Sequence, residues 1–177
     1  MSVSRAACFV SFVLWAAPAL AEQACEGGFG CPRPELEHLV STCLAEAQTP
    51  PARADCPQKV LALCFELTGD GQTTVGIAEC QMSAARAWQG ASTQASAQLG
   101  RAFAARAPDG AELVARFEDM QAAWRAHRVA ACAFEYTLHG PGSARIVAGA
   151  VCEQEMTAAR TLELWALKDL WAPDAWP

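Results

Sequence analysis

The chain has 177 residues, 53% of them hydrophobic and 18% charged, which excludes a disordered tail and a fibrous protein. Thirteen basic against nineteen acidic side chains give a net charge of −6, and a dedicated nucleic-acid binder, which needs a basic surface, is excluded with them. Alanine is abundant while Val, Ile and Tyr are scarce, a balance that favours helix over sheet.

The first element is a secretory signal. Arg5 supplies the positive end, residues 6–15 form the apolar run, and Ala19 and Ala21 are the small residues of an A-x-A cleavage site. The run is too short to cross ~30 Å of hydrocarbon, and no later stretch approaches the ~20 apolar residues of a membrane helix. Cleavage after Ala21 predicts a periplasmic or secreted protein with no membrane span in the mature chain. Removing residues 1–21 takes away Arg5 and Cys8 and leaves 156 residues, eight cysteines and a net charge of −7.

An N-terminal extension, residues 22–33, carries Cys25 and Cys31. Five helices are then predicted between residues 34 and 171, divided by Pro50-Pro51, Gly69-Asp70-Gly71, Pro108-Asp109-Gly110 and Gly140-Pro141-Gly142. The first begins near Pro34 and buries Leu36, Leu39, Val40, Cys43 and Leu44. The second starts around Asp55, with Gln58 as its capping-box partner, and buries Val60, Leu63, Cys64 and Leu67. The third runs from about Thr74 towards Arg106, with Val75, Ala78, Met82 and Ala85 on one stripe and Trp88 nearby. Its middle, residues 90–96, has no charge and no bulky side chain, which suits either a break or close helix packing. The fourth opens on an Asp109/Glu112 capping box and carries Leu113, Phe117, Met120, Trp124, Ala131 and Phe134 as its stripe. The fifth runs from Ser143, its N-cap, to about Leu170, with Cys152, Met156, Ala159 and Leu162 on one side and Leu164, Leu167 and Trp171 widening it. Residues 172–177 form a tail that proline keeps out of the helix.

An even cysteine count in an exported chain reads as a disulfide framework. Cys43 and Cys56, Cys64 and Cys80, and Cys132 and Cys152 each flank one of the turns, where antiparallel helices reach the ~5.5–6 Å Cα separation of a bridge. Cys25 and Cys31 remain to close a small loop, and Cys43 with Cys64 is a rival pairing. Metal binding is not expected: there is no C-x-x-C, and His38, His127 and His139 have no ligand spacing. No cofactor motif is present either.

Gln121, Trp124, Arg128 and Cys132 spell Q-x-x-W-x-x-x-R-x-x-x-C. Gly140-Pro141-Gly142-Ser143 follows, then Cys152 ahead of Thr157, Arg160 and Leu162. With Gly71 to Cys80 upstream, this order resembles the LprI-like family of lysozyme inhibitors over roughly residues 40–165. The family pattern is a Q-R-x-W-x-x-x-R-D-x-x-C helix, a Gly-Gly-Ser or Gly-Gly-Thr turn, and a second cysteine before T-x-x-R-x-x-x-L. The chain departs from it at Ser92, Thr93 and Ser96, where the family has a Leu-Asn pair and a Tyr. Val129 replaces an acid, and Pro141 splits the glycine pair.

The resemblance implies an all-α, disulfide-stapled bundle that binds a cationic lysozyme. It also marks Gln121, Trp124, Arg125, Arg128, Gly140, Gly142, Ser143 and Arg160 as motif residues or partner contacts. On residue chemistry, Trp124 reads as core. Arg125 and Arg128 read as partners of Glu135, Glu153 or Glu155 across the hairpin. Ser143 sits at the tip of a turn. Nucleophile, zinc and phosphate-loop motifs are all missing, so catalysis is not expected. The expected function is a non-catalytic, exported protein-binding module of the lysozyme-inhibitor type. The alternative is a structural or envelope-stress module bound to another envelope protein.

Overall fold

The computed structural model describes residues 29–172, apart from 48, 70, 72 and 107. The expected signal segment, Cys25 and residues 173–177 lie outside the described residues. The elements are α1 (Pro34–Glu46), α2 (Pro50–Ala54), α3 (Cys56–Thr68), α4 (Thr74–Ala104), α5 (Gly110–Leu138) and α6 (Ala144–Trp171). No strand occurs among the described residues, and the five expected helices are present as an all-α bundle.

The sixth element is α2, a single turn where Pro50-Pro51 was expected to be only a breaker. The Thr49 hydroxyl accepts from the Ala52 amide, and proline is tolerated in a first turn, where the missing N–H has no helical partner anyway. This turn changes how α3 begins. Asp55 closes α2 in the right-handed helical region while opening α3, so its carboxylate makes no cap and the expected Asp55/Gln58 box does not form. Asp109 and Ser143 likewise stand at N-cap positions without a side-chain cap, because neither has extended backbone. At the other end of α3, Gly69 takes a left-handed φ of 66° and its amide bonds Phe65 O, a glycine-terminated helix end.

The long helix α4 is unbroken through residues 90–96 and packs against α1, α3, α5 and α6. Ala84, Ala87, Ser92 and Ala95 are buried, and their small size brings α6 close enough for Thr161 Oγ1 to donate to Trp88 O at 3.1 Å. The apolar core gathers Leu36, Val40 and Leu44 of α1, Val60 of α3, Trp88 and Leu99 of α4, and Leu164 and Trp165 of α6. Gly110 lets α5 start hard against the end of α4: a Cβ there would lie 2.7 Å from Ala104 O.

Three bridges join Cys43 to Cys56, Cys64 to Cys80 and Cys132 to Cys152, with Cα separations of 6.0, 5.6 and 5.4 Å. Each spans the turn it was expected to span, and the rival Cys43–Cys64 pairing does not form. Cys31 is disulfide-bonded as well.

Several stripe assignments need correction. Leu67, Val75, Leu113, Met120, Phe134 and Trp171 are exposed, as is Ala159. The inward face of α6 instead runs through Ala150, Gln154, Thr157, Thr161, Leu164 and Lys168. That of α5 runs through Gly110, Phe117, Gln121 and Cys132, with Trp124 and Arg128 half-buried between them. Thr157 and Gln121 occupy inward positions by bonding Arg128 and Arg160 across the helices, and Thr161 by bonding backbone carbonyls, an option that an apolar-spacing rule does not consider.

Candidate functional site

The motif residues of α5 meet α4 and α6 in one polar seam. Gln121 is buried, and its Nε2 donates to Ser96 Oγ at 2.6 Å. Its Oε1 accepts from Arg160 Nε at 2.9 Å and from Arg160 Nη2. Arg160, also buried, sends Nη1 to Glu163 Oε2 at 2.9 Å. Two helical turns further along α5, Arg128 Nη1 donates to Gln89 Oε1 at 3.0 Å and to Thr157 Oγ1 at 2.9 Å. Arg128 Nε lies 3.3 Å from Glu153 Oε2, an ion pair whose angle is too poor for an aligned hydrogen bond.

Trp124 stands between the two cations. The Arg128 guanidinium lies 5.1 Å from its ring centroid and that of Arg160 lies 5.9 Å away, both within cation–π range. Two permanently charged groups are thus held at the helix interface by a carboxylate each, by amide and hydroxyl acceptors, and by one indole. Removing a single acceptor would strand a desolvated charge, so the network acts as a register lock between α4, α5 and α6. It presents Gln121 and Arg160 to the interior rather than to solvent. Arg128 finds Glu153, one of the acids read as its partner, whereas Arg125 is exposed and has no ion-pair partner among the described residues.

Above the seam, the Cys132–Cys152 bridge clamps α5 to α6, and the hairpin continues beyond it to its tip. Gly140 and Gly142 shape the turn at φ 67° and 146°, with open space around both. Ser143 is exposed beside them. Phe134 and Leu138 are 62% and 63% exposed near this tip, a large apolar exposure on a disulfide-braced projection. Between this tip and the start of α4 a cavity of about 630 Å³ is lined by Thr74, Ile77, Glu135, His139, Ser143 and Met156, among others. His139 Nε2 and Glu135 Oε2 are 4.0 Å apart on its rim.

Sequence reasoning missed the half-buried Gln89 and Ser96 and the buried Thr161 as polar partners, and saw Thr157 only as part of a motif. The usable signal for α6 was the 150, 154, 157, 161, 164, 168 spacing, which is helical once polar residues are admitted to it. It also missed a second cluster, at the far end of α6. Arg53 pairs with Asp169, donates Nε to Ala47 O at 3.0 Å and lies 5.6 Å over the Trp165 ring. Lys168 Nζ sits 4.2 Å over the same ring. Burial pushes the Lys168 ammonium below its ordinary value of 10.5; Asp169 opposes that shift and Arg53 adds to it. Among the described residues no group of His, Cys, Asp and Glu is arranged to hold a metal ion.

The family described as lysozyme inhibitor LprI matches residues 64–164 of this chain, more than half its length. The match begins at Cys64, later than the residue near 40 at which the motif resemblance starts, and so leaves out α1 and α2. It contains the seam, the hairpin and two of the bridges. No curated protein and no solved structure matches the chain.

Proposed function

The chain belongs to the LprI family, and from that membership we propose that it is a non-catalytic inhibitor of a cationic lysozyme, exported by a signal segment cleaved after Ala21. The family is one of inhibitors, and membership together with the three bridges supports a location outside the cytoplasm. The mature chain then consists of the 22–33 extension, the helical domain 34–171 and the tail 172–177, and works in the periplasm or outside the cell.

One observation carries the reading: the α5/α6 hairpin ends in an exposed apolar tip braced by the Cys132–Cys152 bridge. A rigid projection loses little conformational freedom on binding, and apolar side chains at its end supply the contact that charge alone cannot. Net negative charge speeds the encounter with a basic enzyme but gives only a salt-sensitive complex. The buried motif residues Gln121 and Arg160 would act by holding the hairpin in register, while Gly140, Gly142 and Ser143 shape the surface offered. Arg125, exposed on α5, lies well back from the tip.

The test is turnover of cell-wall substrate by a panel of lysozymes, at low and at physiological salt, with the purified exported protein. Inhibition is expected to survive salt and to be lost in Leu138→Asp with an unchanged melting temperature, since Leu138 is exposed. Gly142 is a poor site for such a probe because φ of 146° strains any side chain there. Inhibition confined to low salt would mean charge pairing only. No inhibition at either salt would favour the structural, envelope-module reading.

A further inference from the structure

A second opening lies between α4 and α5, on the opposite stretch of α5 from the hairpin tip. It encloses about 660 Å³, within the range of small-ligand sites, and is lined by Ser92, Ser96, Glu118, Gln121, Trp124 and Arg125, among others. The two helices run antiparallel, as the Gln121–Ser96 and Arg128–Gln89 bonds show, and small residues on α4, including Ala97 and Gly100, leave the space between them unfilled.

The charges of this cleft are sorted by end. Glu118 and Asp119 lie beside Phe117 and have no ion-pair partner among the described residues. Arg125, likewise unpaired, lies seven positions further on, about 10 Å at 1.5 Å per residue. Ser92 falls opposite Arg125, since its neighbours Gln89 and Ser96 bond Arg128 and Gln121. It lines the cleft and is only 3% exposed as a residue, and its hydroxyl, open to the cleft, makes no hydrogen bond among the described residues. A hydroxyl that opens onto the cleft and makes no bond within the protein is free to donate to an acceptor held there.

We propose that the cleft between α4 and α5 binds short free peptides. The α-ammonium lies against Glu118 and Asp119, and the α-carboxylate lies against Arg125 and the Ser92 hydroxyl. Three extended residues at about 3.3 Å each span the same 10 Å, so a tripeptide matches the distance between the charged ends. The cleft volume admits its side chains. Ser96, whose oxygen already accepts from Gln121, keeps its own proton to donate to a peptide carbonyl. Phe117, edge-on to Phe103 at 5.3 Å, supplies a fixed apolar wall. This site does not depend on the lysozyme reading.

Trialanine, followed by calorimetry and by amide shifts of the full exported chain, is the probe. Binding with shifts at Ser92, Ser96 and Gln121 is expected. Blocking its amine by acetylation should weaken binding at least tenfold, and so should amidating its carboxylate. In Arg125→Gln, free and amidated peptide should bind alike; in Glu118→Gln with Asp119→Asn, free and acetylated peptide should bind alike. Ala97→Trp, an exposed position on the cleft wall, should abolish binding without lowering the melting temperature. Trialanine that leaves the cleft shifts unmoved, or doubly blocked peptide that binds as well as the free form, would overturn the proposal. So would variants that lose affinity without regard to which end is blocked.

Discussion

The two ends of the bundle are held by different physics. Where α1 and α3 pack on the start of α4, the interior is dry: Leu36, Val40, Leu44 and Val60 are fully buried, and two disulfides staple the turns. Where α5 packs on α4 and α6, the interior is a hydrogen-bonded seam around Gln121, Arg128 and Arg160. Apolar burial is non-directional and tolerates small shifts, whereas a guanidinium shared among named acceptors permits one register only. The stapled lobe therefore supplies stability, and the seam supplies orientation to a helix whose outer surface is mostly in solvent.

Mutations can break that contrast, beginning where the effect is largest. Trp88 is fully buried in the apolar core, so Trp88→Ala should lower unfolding free energy by about 3–5 kcal/mol in a denaturant titration. Replacing Cys132 and Cys152 together by alanine should remove about 3 kcal/mol, because the bridge closes a segment of 20 residues in the unfolded chain. Free thiols at both positions in oxidised exported protein would contradict the bridge.

Arg160→Leu should cost about 2–3 kcal/mol by leaving the Gln121 Oε1 buried without its donors. Adding Gln121→Leu should restore part of that loss. A double mutant equal to the sum of the singles would show that the seam is not a coupled network.

The smallest effect concerns Lys168. Its folded-state pKa is lowered, chiefly by burial, so the unfolded chain binds that proton more tightly. The resulting penalty is fully present below the folded pKa and disappears as pH rises to the ordinary value of 10.5. Stability should therefore gain an upward component on approaching pH 10, and Lys168→Met should lack that component when the two proteins are melted across the same pH series.

Much of the stapled lobe was legible in the sequence. In α1 the apolar spacing names Leu36, Val40, Cys43 and Leu44, all buried, and each bridged pair flanks a visible turn. The hairpin was legible as topology and illegible as packing. Leu113, Met120 and Phe134 sit at helical spacing and face outward, while Gln154 and Thr157 face in. Hydrophobicity marks what leaves water by itself and is silent about polar groups that leave water in pairs. The motif Gln121, Trp124, Arg128 was visible as a pattern, but its partners Ser96, Gln89 and Arg160 stand 25 to 39 positions away.

By itself the sequence determined the five long helices and the turns between them, because periodicity, proline and glycine act through the nearest few residues; it made the bridges across those turns the expected ones but left Cys43–Cys64 as a rival that only the structure set aside. A turn between two helices also brings its flanking cysteines together without help from the rest of the chain. Only the tertiary structure decided which face of α5 and α6 is inside, which motif residues are locked and which are offered, and where α4 and α5 stay apart. Those outcomes depend on hydrogen-bond partners and on side-chain volume across helices, quantities that no local stretch of this chain contains.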